Sequence, residues 1–151
     1  MMSPAGGRHG YVVVNVTLPV AAFVKQNRLG KVFGAETGFH IGRDPDTVRA
    51  PDVGFVSASR LGDDLPPGFF EGPPDLAVEV LSPDDRMSEV LAKVHQWVDA
   101  GCREVWVVDP DGRTVSVHRR GEEVQVLGAS EVLSGGNLLP GLLLPVAEVF
   151  E

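Results

Sequence analysis

In the middle of this chain an alternating strand, an amphipathic helix and a second apolar strand follow one another closely. That order constrains the fold more than any other feature. Asp75–Leu81 (DLAVEVL) places Leu76, Val78 and Val80 on one face and Asp75, Ala77, Glu79 and Leu81 on the other. Ser82-Pro83-Asp84-Asp85 reads as a helix start, with Ser82 as N-cap, Pro83 at the first position and acids near the positive end of the dipole. The helix runs to about Ala100, with Met87, Val90, Leu91, Val94, Trp97 and Val98 in one apolar arc, and Gly101 stops it. Glu104–Asp109 (EVWVVD) is the next strand.

The flanking segments extend this order. Residues 3–10 (SPAGGRHG) read as a Gly-rich loop. Tyr11–Leu29 is expected to be a helix: its valines favour a strand, but its length, its alanines and a polar end before Gly30 favour a helix, with Pro19 as a kink. Short strands are expected at Val32–Ala35, Phe39–Ile41 and Val53–Val56, with RDPDTVR as a hairpin-like connection. Residues 57–74 hold four prolines and read as an exposed loop. After Asp109, the turns Pro110-Asp111-Gly112 and Arg120-Gly121-Glu122 separate Thr114–Arg119 from Val124–Leu127, a meander of paired strands. NLLPGLLLPVAEVF reads as a loop and a final helical turn that covers a core or an interface. Helix, strands, helix, strands predicts an α+β or α/β domain with one central mixed sheet.

The chain has 151 residues, about one ordinary domain, so 1–151 is expected to be a single domain. It has no membrane-length apolar run and no secretory leader pattern. Its one cysteine, Cys102, leaves no internal disulfide or multi-Cys zinc site, and a cytoplasmic location is expected. The formal net charge is −8, which argues against a nucleic-acid binder. The charge is uneven, however. Residues 1–43 carry five bases (Arg8, Lys25, Arg28, Lys31, Arg43) against Glu36 alone, and the acidic excess begins only afterwards.

Three residues could carry chemistry, each with a plainer alternative. Asp52, before an apolar strand in RAPDVGFV, is by itself most simply a Pro-Asp turn residue. Glu79 stands among branched residues, where a carboxylate is costly to bury unless paired or cation-bound; a solvated strand face would also accommodate it. Lys93 lies roughly 60° around the helix from Val90, at the edge of the apolar arc. It either reaches over the sheet or pairs with Glu89. Two carboxylates on adjacent strands can hold a hard cation such as Mg²⁺, and a nearby ammonium can orient water and offset charge on a phosphoryl group. Asp75 shares the Glu79 face but stands about 13 Å away by strand rise, and reads as a strand-start residue. The four histidines show no metal spacing. Trp97 and Trp106 read as core, and Cys102 as a buried thiol.

The strings VRAPDVGFV and PPDLAVEVLSPDD, then Lys93, then AGCREVWVVDPDGRTVSVHR resemble the Uma2 family, a group with a restriction-endonuclease-like fold within the PD-(D/E)xK nucleases. The resemblance runs from MSPAGGRHG to LLPGLLLPVAEVF. It implies an α+β core with a central mixed sheet flanked by helices. It implies an Mg²⁺- or Mn²⁺-dependent DNA endonuclease in which Asp52 fills the Asp of the Pro-Asp motif and Glu79 the acidic position of (D/E)xK. Position 81 is Leu81, so Lys93 would stand in as a migrated lysine, and the Val80 carbonyl would be a third metal ligand. Family members carry a Tyr-Glu-Leu-like strand before the Met-Ser-Pro loop at which this chain starts, so the expected core lacks that N-terminal strand. The candidate phosphate contacts are Arg8, Lys25, Arg28, Lys31 and Arg49, and a homodimer is expected. The rival reading is a dimeric binding or regulatory module that keeps the fold without catalysis.

Overall fold

The computed structural model describes residues 6–151. The chain runs α1 (Gly7–Gln26), β1 (Gly30–Phe33), β2 (Phe39–Gly42), β3 (Thr47–Arg49), β4 (Val53–Ser57), a 3-10 turn (Ala58–Arg60), β5 (Phe70–Glu71), β6 (Leu76–Val80), α2 (Met87–Asp99), β7 (Glu104–Asp109), β8 (Thr114–His118), β9 (Gln125–Leu127), β10 (Val132–Ser134), β11 (Leu143–Pro145) and α3 (Val146–Phe150). The main sheet has the order β1-β4-β6-β7-β8-β9. Among the described residues, β6 and β7 are the one parallel pair within this sheet, because α2 carries the chain back between them. The sheet is therefore mixed, with a helix on each face. Among the described residues no helix is long and apolar enough to cross a membrane.

The alternation of β6 divides the core. Leu76, Val78 and Val80 pack with Val12, Val16, Val20 and Val24 of α1 and with Leu139, Leu142 and Leu144 near the end of the chain. Ala77 faces the other way, with Val90, Val94 and Trp97 of α2 and with Phe39. The four α1 valines recur every fourth residue, so their burial outweighs the weak helix preference of branched side chains. Pro19 sits inside α1 without ending it. Gly30 follows the helix at φ +155, where a Cβ would stand 2.1 Å from the Val56 carbonyl oxygen; only glycine permits β1 to approach β4 there.

Several expectations need correction. Residues 7–10 belong to the first turns of α1 rather than to a loop, and residues 3–5 of that expected loop lie outside the described residues. Ser82 does not cap α2. Its N–H donates to the Asp85 carboxylate at 2.8 Å and its carbonyl accepts from Asp85 N–H, closing a turn with Pro83 inside it. The helix starts only at Met87, after an extended Arg86. Val90, Val94 and Trp97 of the expected arc are buried, whereas Met87 and Leu91 are exposed. The expected terminal loop contains the β10–β11 hairpin, and RDPDTVR contains β3. Gly101 does end α2, at φ +109, and Arg120 donates to the carbonyls of Val98 and Asp99 on its last turn.

Candidate active site

The antiparallel register of β4 on β6 pairs Val53 with Val78, and one step further Asp52 reaches β6 on both sides of Glu79. Its N–H donates to the Val78 carbonyl at 3.1 Å, and its Oδ2 accepts the Val80 N–H at 2.7 Å. The carboxylate is thus tied to the backbone of the strand that carries Glu79. Glu79 alternates with Val78 and Val80 and so points toward the α2 face, beside Val107 of β7.

Three groups act on the half-buried Glu79 carboxyl. Burial pushes its pKa up to about 7, and the Asp52 charge raises it further within that value; Lys93 on α2 pulls the other way, as does the Trp97 indole N–H. Trp97 lies one helical turn beyond Lys93. Its buried ring is held by Phe39, edge-on at 6.2 Å between centroids, and Phe39 in turn stacks on Phe70 at 5.1 Å. The small sheet β3-β2-β5 therefore braces the tryptophan that faces Glu79. Asp52, Glu79 and Lys93, far apart in sequence, are gathered at one end of the main sheet.

His9, on the first turn of α1, adds a fourth group. Its Nε2 lies 3.5 Å from Asp52 Oδ2. Its Nδ1 is the one buried side-chain N or O without a hydrogen-bond partner among the described residues. Arg8 and His9 line a cleft with Leu81, Ser82, Asp85, Asp109 and Asp111 at the ends of β6 and β7.

The candidate phosphate contacts are scattered. Arg8 forms an ion pair with Asp111 at 2.8 Å and also donates to the Pro110 carbonyl. Arg49 donates to Gln96 at 3.1 Å, placing its guanidinium over α2 near Lys93. Lys25, Arg28 and Lys31 share a shallow cleft at the opposite end of α1. By helical rise Lys25 is about 26 Å from Arg8. Folding brings Arg8 and Arg49 toward the carboxylates and leaves the other three remote.

The residue matches and the fold converge on one family. The Uma2 family model, described as "Putative restriction endonuclease", matches residues 1–147. The chain belongs to the Uma2 family. Among solved structures it is similar to "a putative nuclease belonging to DUF820" from Anabaena variabilis, with TM-score 0.87 and 24% identity over 99% of this chain and 84% of that one. That likeness shows the fold. No curated protein sequence matches the chain.

Sequence reasoning considered His9 but set it in a loop before the first helix and did not promote it to the site, because the Gly-rich SPAGGRHG disguised the start of α1. It also passed over the partnership of Trp97 with Glu79. The indole lies on the apolar arc, and nothing in the spacing shows that its N–H reaches a carboxylate on another element. Cys102 behaves as expected: it is buried, and burial pushes its thiol up to about 12.

Among the described residues no three His, Cys, Asp or Glu side chains converge as a metal cluster. A Mg²⁺-type ion needs only one or two carboxylates, with carbonyl, water and phosphate oxygens completing its shell. The pair fits such an ion on charge: burial first and the Asp52 charge second raise the Glu79 pKa, with a single lysine offsetting them.

Proposed function

We propose that this chain, acting over 1–151 as one restriction-endonuclease-like domain, is a homodimeric endonuclease that hydrolyses phosphodiester bonds in DNA with Mg²⁺ or Mn²⁺. The observation that carries this reading is Asp52 tied to the Val78 carbonyl and the Val80 N–H, on both sides of Glu79, with Lys93 of α2 acting on the same carboxyl. Membership of a family described as "Putative restriction endonuclease" supports the same reaction class.

Asp52, Glu79 and the Val80 carbonyl would hold the divalent ion. When bound, the ion supplies a Lewis acid that withdraws charge from the phosphoryl oxygens. Asp52 is oriented by the Val80 N–H. Lys93 positions the attacking water and offsets charge that grows on the phosphoryl group. Water adds across the P–O bond, leaving a phosphate monoester on one product and a hydroxyl on the other. Arg8 and Arg49 are the phosphate contacts best placed for this centre; Lys25, Arg28 and Lys31 would meet DNA only well away from the cut.

Plasmid nicking with Mn²⁺ tests the reading. Glu79→Ala and Lys93→Ala should abolish nicking while leaving the far-UV circular dichroism unchanged. If both variants cut as well as wild type, the residue roles are wrong.

A non-catalytic module that keeps the fold is the second reading. The observations favouring it are the net charge of −8 and the ion pair that already neutralises Arg8. It predicts no metal binding and no nicking in the wild-type protein.

A further inference from the structure

Helix α1 has two apolar faces, and the fold uses one. Val12, Val16, Val20 and Val24 are buried against the sheet. At 100° per residue, Tyr11, Val14, Leu18 and Ala22 centre on the opposite direction. They are exposed, and Leu18 is 69% accessible. Gly10–Val24 contains no charged residue. The polar side chains beside the stripe are occupied within the chain. Asn15 donates to the carbonyls of Val149 and Glu151 at 3.0 Å, and Thr17 to the Val13 carbonyl at 2.7 Å. A helix apolar on both sides is normally covered on both.

We propose that the outer face of α1 is the dimer interface, packed antiparallel against α1 of a second copy across a two-fold axis at Leu18. This rests on the homodimer in the function proposed above and names its surface. A two-fold at Leu18 sets position 11 against 25 and position 14 against 22. Val14 then meets the small Ala22, so the helices can approach closely, and Leu18 meets Leu18.

Charge selects a second copy in this orientation. Lys25 ends the stripe, is exposed, and has no ion-pair partner among the described residues. The Tyr11 hydroxyl donates to the Glu151 carbonyl oxygen, so an exposed acid stands at the other end. Antiparallel packing brings each Lys25 to the Tyr11–Glu151 end of its partner. Parallel packing would set lysine beside lysine. One stripe thus supplies both halves of a self-complementary surface, as a two-fold dimer requires.

Sedimentation across a concentration series and cysteine cross-linking test this with the full chain. Wild type should reach twice the monomer mass. Leu18→Glu should remain monomeric with unchanged circular dichroism. Leu18→Cys should form a covalent dimer on mild oxidation, because its thiols meet at the axis while Cys102 is buried. Lys25→Glu should weaken the dimer by about threefold to tenfold, and adding Glu151→Lys should restore it. A wild-type monomer at every concentration overturns both the interface and the homodimer. A dimer that survives Leu18→Glu, or Leu18→Cys that fails to cross-link a dimeric protein, overturns the interface alone.

Discussion

At the start of β6, Asp75 is buried and matched. Its Oδ2 accepts the Ser57 N–H at 2.7 Å and faces Arg60 at 3.3 Å. Beside it, at the start of β7, the buried Glu104 accepts from the Trp106 indole at 3.0 Å and from Arg119 at 2.5 Å. Burial pushes the Glu104 carboxyl up, and Arg119 pulls it back. At the far end of β6, burial and then the charge of Asp52, another acid, push the Glu79 carboxyl up. Both ends bury carboxylates in one sheet. Where each acid has a guanidinium, the cluster holds strands together; where two acids face each other with one lysine, positive charge is in deficit. Carboxylates in a sheet are therefore informative only with their counter-charges.

Substitutions can break this contrast, beginning with the largest effect. Removing Glu79 or Lys93 should lower nicking by at least about a hundredfold with little loss of stability. Arg119→Ala should do the reverse. It leaves Glu104 buried without its cation and should cost about 3 kcal/mol in urea denaturation, while the folded fraction nicks normally.

A third test uses pH. The raised Glu79 pKa means that the native state holds a proton which the unfolded state releases near 4.5. Between about 4.5 and about 7 the native chain binds more protons, so this group's contribution to stability falls as pH rises through that window. Glu79→Gln should flatten that slope and stabilise the protein by about 2–3 kcal/mol above pH 7, read from denaturation midpoints across pH. The smallest effect is expected from Arg8→Ala. Its ion pair with Asp111 is exposed at both partners, and its loss should change stability by no more than about 1 kcal/mol.

Much of this arrangement was legible before folding. The alternation around Glu79 and the meander after Asp109 depend on local periodicity, and both formed; the arc of α2 formed in part, around Val90, Val94 and Trp97. Asp52, Glu79 and Lys93 could be named because their strings resemble a family; none was decisive on spacing alone. What stayed hidden depends on partners distant in sequence. Nothing local shows that Asp85 would take the Ser82 N–H, that α1 would begin early enough to bring His9 to Asp52, or that Arg119 would reach Glu104. The two apolar faces of α1 were equally obscure, since its valines read as one apolar stretch until the sheet covered half of them.

Calorimetric titration with Mn²⁺ near pH 8, comparing wild type with Glu79→Gln, tests most directly whether the deficit of positive charge at this end of β6 is a cation site. Wild type should bind one ion per chain, with affinity that weakens as pH falls below about 7 and protons compete for Glu79. Glu79→Gln should lose that binding. The absence of any heat at millimolar Mn²⁺, or equal binding by Glu79→Gln, would contradict it.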